Sequence, residues 1–221
     1  MYAVYHGSAG LRRIADKVHG FTQVLRSSVE AFGYKATNKV FFDTLTLDVT
    51  SVKGSADAVH AASVAAAINL RPVDDKHVGV TLDESVSPDD LVALINVFAS
   101  VASASPIHLS SLSASLRSSS IPPALRRTSE YLPHPVFNKH HSETEMLRYI
   151  NHLASKDIGL VHSMIPLGSC TMKLNSTSSM IPLTWPEFSA VHPFAPHDQV
   201  KGYHTIIKVP LFCYRDQQNG H

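Results

Sequence analysis

Residues 161–175, VHSMIPLGSCTMKLN, place Ser169, Cys170, Thr171 and Lys173 just after Pro166 and Gly168, two residues that bend a chain away from regular structure. Hydroxyls, a thiol, an ammonium and backbone N–H groups that no ladder consumes can together bind an anionic or polar ligand. The same residues also fit a plain helix-capping region in which Cys170 is a small buried hydrophobe. A nucleophilic Cys170 would need a histidine within hydrogen-bond reach and a depressed thiol pKa, and His162 is the nearby candidate. Fourteen histidines invite a metal reading. Neither His140-His141 nor His192 with His197 has the i, i+4 spacing or a clear third ligand, so no metal site is expected. Asn175-Ser176-Thr177 matches a glycosylation acceptor, which matters only on secretion. Nucleotide loops, zincin helices and the hydrolase elbow all lack their motifs.

The elements that must position these residues follow from periodicity. Apolar or small residues recur at Leu11, Ile14, Ala15, Val18, Phe21, Leu25, Val29 and Phe32, which predicts an amphipathic helix that Gly33 ends. Residues 40–49 alternate Leu45, Leu47 and Val49 with Thr44, Thr46 and Asp48, the pattern of a half-buried strand. Ser55 caps an alanine-rich helix to about Ala67. Residues 68–73 and 77–82 flank Asp74-Asp75-Lys76 as a hairpin, and Ser87-Pro88-Asp89-Asp90 opens a helix to about Val101. This order predicts an α+β fold, a small antiparallel-sheet domain with helices on one face. Residues 103–135 then read as a linker rich in serine and proline. A loop-rich helical segment follows: Ser142-Glu143-Thr144-Glu145 is a capping box that sets Met146, Leu147, Ile150 and Leu153 on a helix's inner side. Thr184-Trp185-Pro186-Glu187 starts a short helix, and the prolines of 192–196 enforce irregular chain.

Composition narrows the function. The 221 residues are 44% hydrophobic and 17% charged, with net charge +1. No bulk field favours nucleic acid or an anionic membrane. Residues 91–104 form a strongly apolar stretch shorter than the roughly 20 residues a span requires. Cys170 and Cys213 make no C-x-x-C pair, which points to a reducing compartment. Residues 1–10 carry no apolar h-region and no Arg-rich amphipathic presequence, so either the chain acts where it is made or its start is missing.

Longer strings carry a resemblance. DIGLVHSMIPLGSCTMKLN at 157–175, with TWPEF, HPF and GY after it, and YHGSAGL, RRIADKVHGF, FFDTLTLDV, VGVTLDE and RTSEYLPHPVFNKHHSETEMLRY before it, closely resemble the glycine dehydrogenase (decarboxylating) family, P-proteins of the glycine cleavage system. The resemblance runs from about Tyr5 to Ile207. It implies pieces of two fold-type I pyridoxal-phosphate enzyme halves: residues 1–102 as the small domain closing the first, and 136–207 as the segment opening the second. Residues 208–221 depart from the family's pattern, as a truncated reading would.

By the same resemblance the complete enzyme decarboxylates glycine on pyridoxal 5'-phosphate and passes an aminomethyl group to the lipoyl arm of H-protein. Ser169, Cys170 and Thr171 would lie near that cofactor. The Schiff-base lysine sits in a His-Lys element that this sequence lacks, and Lys173 has no large domain to hold a ring against it. The expectation is a chain that is catalytically incompetent alone, without a bound cofactor. The alternative is a non-catalytic module that pairs with full-length P-protein through apolar patches. A eukaryotic member would be mitochondrial, any other cytoplasmic.

Overall fold

Helix α1 spans Tyr2–Ala31, so it begins well before the apolar period at Leu11. Gly7 and Gly10 hide the earlier turns from a periodicity reading, because glycine is a poor helix former. The helix bends where Gly7 takes φ 62° and ψ −177°, a conformation reserved for a residue without Cβ. Gly33 ends it as predicted. With φ +100°, it lets Gly33 N–H donate to Glu30 O and Tyr34 N–H to Val29 O, both at 3.1 Å, which satisfies carbonyls the helix would otherwise leave open. The computed structural model describes residues 1–52, 55–110, 121–159, 162 and 176–208. These fall into two compact units, Met1–His152 and Leu153–His221.

In the first unit, β1 (Lys35–Ala36), β2 (Thr44–Asp48), β3 (Arg71–Asp74) and β4 (His77–Thr81) form an antiparallel sheet in the order β1-β2-β4-β3. Leu45 pairs with Val80 and Leu47 with Val78, so period-two alternation sends these four side chains to one face. There they are buried under α1, α2 (Ala56–Ala65) and α3 (Pro88–Val101). This is the α+β layer expected. The strand reading at 40–43 was too long: Phe41 is buried but outside β2, and β1 is too short to carry a period.

The caps are local and agree with the sequence. Ser55 Oγ accepts from Ala58 N–H at 3.2 Å. Ser87 Oγ accepts from Asp90 N–H at 3.1 Å, and the Asp90 carboxylate accepts from Ser87 N–H at 2.9 Å, a reciprocal pair worth about 1 kcal/mol. Tyr34 stands deep in the core. Its hydroxyl donates to Phe98 O at 3.0 Å, and its ring meets that of Phe98 edge-on at 5.3 Å.

After α3 the chain stays tied down to Ile107, whose N–H and C=O both bond the Asn96 side-chain amide, at 2.8 and 3.1 Å. Most of the serine run, 111–120, lies outside the described residues. Beyond it an arm with 3-10 turns at Pro123–Leu125 and Pro135–Asn138 returns to α1. Tyr131 OH donates to Ser8 O at 2.6 Å, and His141 Nδ1–H donates to Tyr5 O at 2.7 Å. A Cβ on Gly7 would stand 2.7 Å from both His141 Cε1 and Phe137 O. The glycine therefore supplies both the bend and the close approach.

Helix α4 covers Glu143–Ala154, with Ser142 Oγ accepting from Glu145 N–H at 3.3 Å. Its expected inner side is a correction. Met146 is buried, but Leu147, Ile150 and Leu153 remain 66%, 43% and 37% exposed. The stripe has the right spacing, and no element of the first unit covers it.

The second unit holds short helices at Thr177–Met180 and Pro186–Ser189 and a helical turn pair at 201–208. The box expected at Thr184 is also corrected: Thr184 Oγ1 donates to Ile181 O at 2.7 Å, and Trp185 takes the cap position without a side-chain bond. Residues 192–196 are irregular, as the prolines require. Among the described residues no helix is long and apolar enough to cross a membrane.

Candidate functional site

The segment singled out by its chemistry, with Ser169, Cys170, Thr171 and Lys173, lies outside the described residues. Its flanks are described. His162 is exposed, with its N–H donating to Gly159 O at 3.0 Å. Ser176 caps the helix Thr177–Met180, its Oγ accepting from Ser179 N–H at 3.2 Å.

Among the described residues an open cleft of about 720 Å³ lies between the turns of α1 that follow Gly7 and residues 128–138 of the arm. It is built from both segments. The Gly7 bend and the small residues Ser8 and Ala9 let the arm approach, and the Tyr131–Ser8 bond fixes the distance. Arg12 and Arg13 line one wall, while Thr128, Ser129 and Glu130 line the other. Tyr131, Leu132 and Pro133 give the cleft an apolar side. Arg127 lies with its guanidinium 5.6 Å from the Tyr131 ring centroid, and its Nη1 donates to Ser129 Oγ at 3.1 Å. Asn138 Nδ2 is spent on Leu132 O and His134 O, both at 3.3 Å.

The apolar period from Leu11 to Phe32 assigns no role to Arg12 and Arg13. The signal that could have exposed the cleft is the pairing of small residues at 7–10 with the proline-bounded string at 128–138. Small residues permit close backbone approach, and prolines hold an arm extended.

A pyridoxal phosphate site needs a lysine sheltered against the ring. Every lysine among the described residues is exposed, and none lines the cleft. The described residues do not fit that cofactor.

The shifted carboxyls belong to turns and caps. The carboxyls of Asp48, Asp74, Asp83 and Asp90 are held below the usual carboxylate range, chiefly by hydrogen bonds from Thr50, Lys76, Ser85 and Ser87 respectively. Each such partner closes a turn or a cap. Burial pushes the Tyr34 hydroxyl up to about 12. The described residues hold no group of three or more metal-ligating side chains. His197 and His204 pair through ring nitrogens 2.9 Å apart on the second unit.

Comparison with known proteins gives the arrangement its context. Residues 1–98 match the family model of the glycine cleavage system P-protein. Glycine dehydrogenase (decarboxylating) of Paraburkholderia xenovorans is 50% identical over 211 residues, covering 94% of this chain and 21% of that protein. Its counterpart in Cupriavidus metallidurans is 52% identical over 207 residues, again 94% of this chain and 21% of the relative. The chain therefore spans about a fifth of the length of the curated relatives it matches.

Proposed function

We propose that this chain, a stretch of glycine cleavage system P-protein family sequence, supplies two parts of a glycine-decarboxylating enzyme and does not decarboxylate glycine by itself. Residues 1–102 serve as the small domain closing one half. Residues 136–207 serve as the segment opening the other, with Ser169, Cys170 and Thr171 making polar contacts near the cofactor of the complete enzyme. The observation that carries this reading is the identity of about half over 94% of the chain against only 21% of each relative. A stretch so closely kept over nearly all its length supports reading it as parts of that machine.

Pyridoxal phosphate, when bound in a complete enzyme, supplies an electron sink for the charge left by departing carbon dioxide. This chain's residues would orient and shelter. Glycine and lipoylated H-protein would be partners of the complete enzyme.

An absorbance scan of the purified chain with added pyridoxal phosphate tests the reading. The free-cofactor spectrum should persist, and labelled glycine should release no carbon dioxide. An internal-aldimine band that Lys173→Ala removes would overturn it.

One observation favours a second reading, a non-catalytic module that pairs with full-length P-protein. Leu147, Ile150 and Leu153 form an open stripe on α4, and such stripes recruit partners or aggregate. Co-purification with full-length P-protein that Ile150→Asp abolishes would support the module.

A further inference from the structure

We infer that the cleft between α1 and the arm is a binding site for a small phosphate monoester that also carries an amine. The argument starts from the cations. Arg12 and Arg13 both line the cleft, and among the described residues neither guanidinium has a hydrogen-bond or ion-pair partner. A guanidinium stays charged at any physiological pH and presents a fork of donors that matches a phosphate bidentately. Two on one wall offer more donors than a carboxylate's two oxygens can use.

The opposite wall adds neutral donors. Arg127 Nη1 donates to Ser129 Oγ, and the Ser129 hydroxyl, on a residue that lines the cleft, keeps its own O–H as a donor. Thr128 lines the same wall. Arg127 itself lies against the Tyr131 ring, so the residue that orients Ser129 is held in place.

Glu130 decides what else the ligand carries. It lines the cleft and, among the described residues, has no cationic partner. A bare dianion would meet repulsion there, whereas a ligand with an ammonium at its other end would answer that carboxylate. Tyr131, Leu132 and Pro133 offer an apolar side for the ligand's body. A volume of about 720 Å³ suits a sugar-sized molecule, since small-ligand sites run from roughly 300 to 1,000 Å³. No residue of the proposed cofactor region takes part, so this site stands or falls apart from the decarboxylase reading.

Calorimetric titration of the full chain with glucosamine 6-phosphate, glucose 6-phosphate, inorganic phosphate and glucosamine tests it. Glucosamine 6-phosphate should bind at least tenfold tighter than glucosamine and several-fold tighter than glucose 6-phosphate. Arg12→Ala with Arg13→Ala should weaken it at least tenfold, while Arg26→Ala, remote on the same helix, leaves it unchanged. Both cleft arginines are exposed, so circular dichroism of the double variant should match the parent. Glu130→Gln gives the sharper reading, because it should weaken glucosamine 6-phosphate yet tighten inorganic phosphate. Binding that ignores the double substitution, or a Glu130→Gln effect of the same sign on both ligands, would overturn the inference, as would no binding at millimolar ligand.

Discussion

The sheet layer of the first unit and helix α4 use the same apolar residue types and reach opposite ends. Leu45, Leu47, Ile95 and Phe98 are fully withdrawn from water. Leu147 and Ile150, on a helix with equally regular spacing, remain largely in it. The difference lies in what stands opposite. In the layer, α1, α2 and α3 each find a sheet face whose inward residues were set by alternation, and every buried Leu or Val contributes about 1.5–3 kcal/mol. For α4 the first unit supplies no matching surface. Amphipathic spacing thus specifies which side of a helix seeks cover, and a separate surface must supply it.

The largest break in that comparison is expected at Leu47. It pairs with Val78 across the sheet and is completely buried, so Leu47→Ala removes buried methyl groups and leaves a cavity in the layer. The loss should be about 3 kcal/mol, read as a lower urea midpoint with an unchanged slope. Stability within half a kcal/mol of the parent would mean that the layer is not the core it appears from burial.

Next comes the joint where the arm meets α1. Gly7→Ala forces a side chain into a φ of 62° and within 2.7 Å of His141 and Phe137 O. The cost should be roughly 1–3 kcal/mol, falling first on the arm. Faster proteolytic cutting at 128–141, with the sheet's far-ultraviolet signal retained, is the expected outcome. Simultaneous loss of both would show that arm and layer fold as one.

Tyr34 sharpens the picture of the layer with a smaller effect. Its pKa is raised by burial from 10.0 to about 12, so the folded state holds the proton more tightly than the unfolded chain. The associated stability is complete below pH 10 and declines as pH rises through 12. A tyrosine absorbance titration should show one phenol ionising last, coincident with alkaline unfolding. Tyr34→Phe should abolish that late step and cost about 1 kcal/mol through the lost bond to Phe98 O.

These effects sort by how local their causes are, and so did the legibility of the sequence. The Ser55 and Ser87 caps, the Gly33 stop and the 77–81 hairpin strand were readable because each depends on residues within a few positions. Early α1 was not, since Gly7 and Gly10 interrupt its apolar period and the close approach of His141 and Phe137 to Gly7 comes from more than a hundred positions away. The cleft escaped for the same reason: Arg12 and Glu130 acquire a shared purpose only when the arm docks. Leu147 misled in the opposite sense, its spacing announcing a burial that a local pattern cannot deliver. The family strings survived all of this because identity in order depends on no contact at all.

The smallest expected effect tests α4 itself. Leu147→Ser with Ile150→Ser exchanges side chains that are 66% and 43% exposed, so little hydrophobic stabilisation is at stake in the folded chain. Surface changes of this kind stay within about 0.5 kcal/mol, and the helix keeps its Ser142 cap and its buried Met146. The urea midpoint should therefore hold while binding of an apolar dye falls, since the stripe is what the dye would find. A loss above about 1 kcal/mol would show the stripe to be packed against something in this chain, and α4 would then belong with the sheet layer rather than in contrast to it.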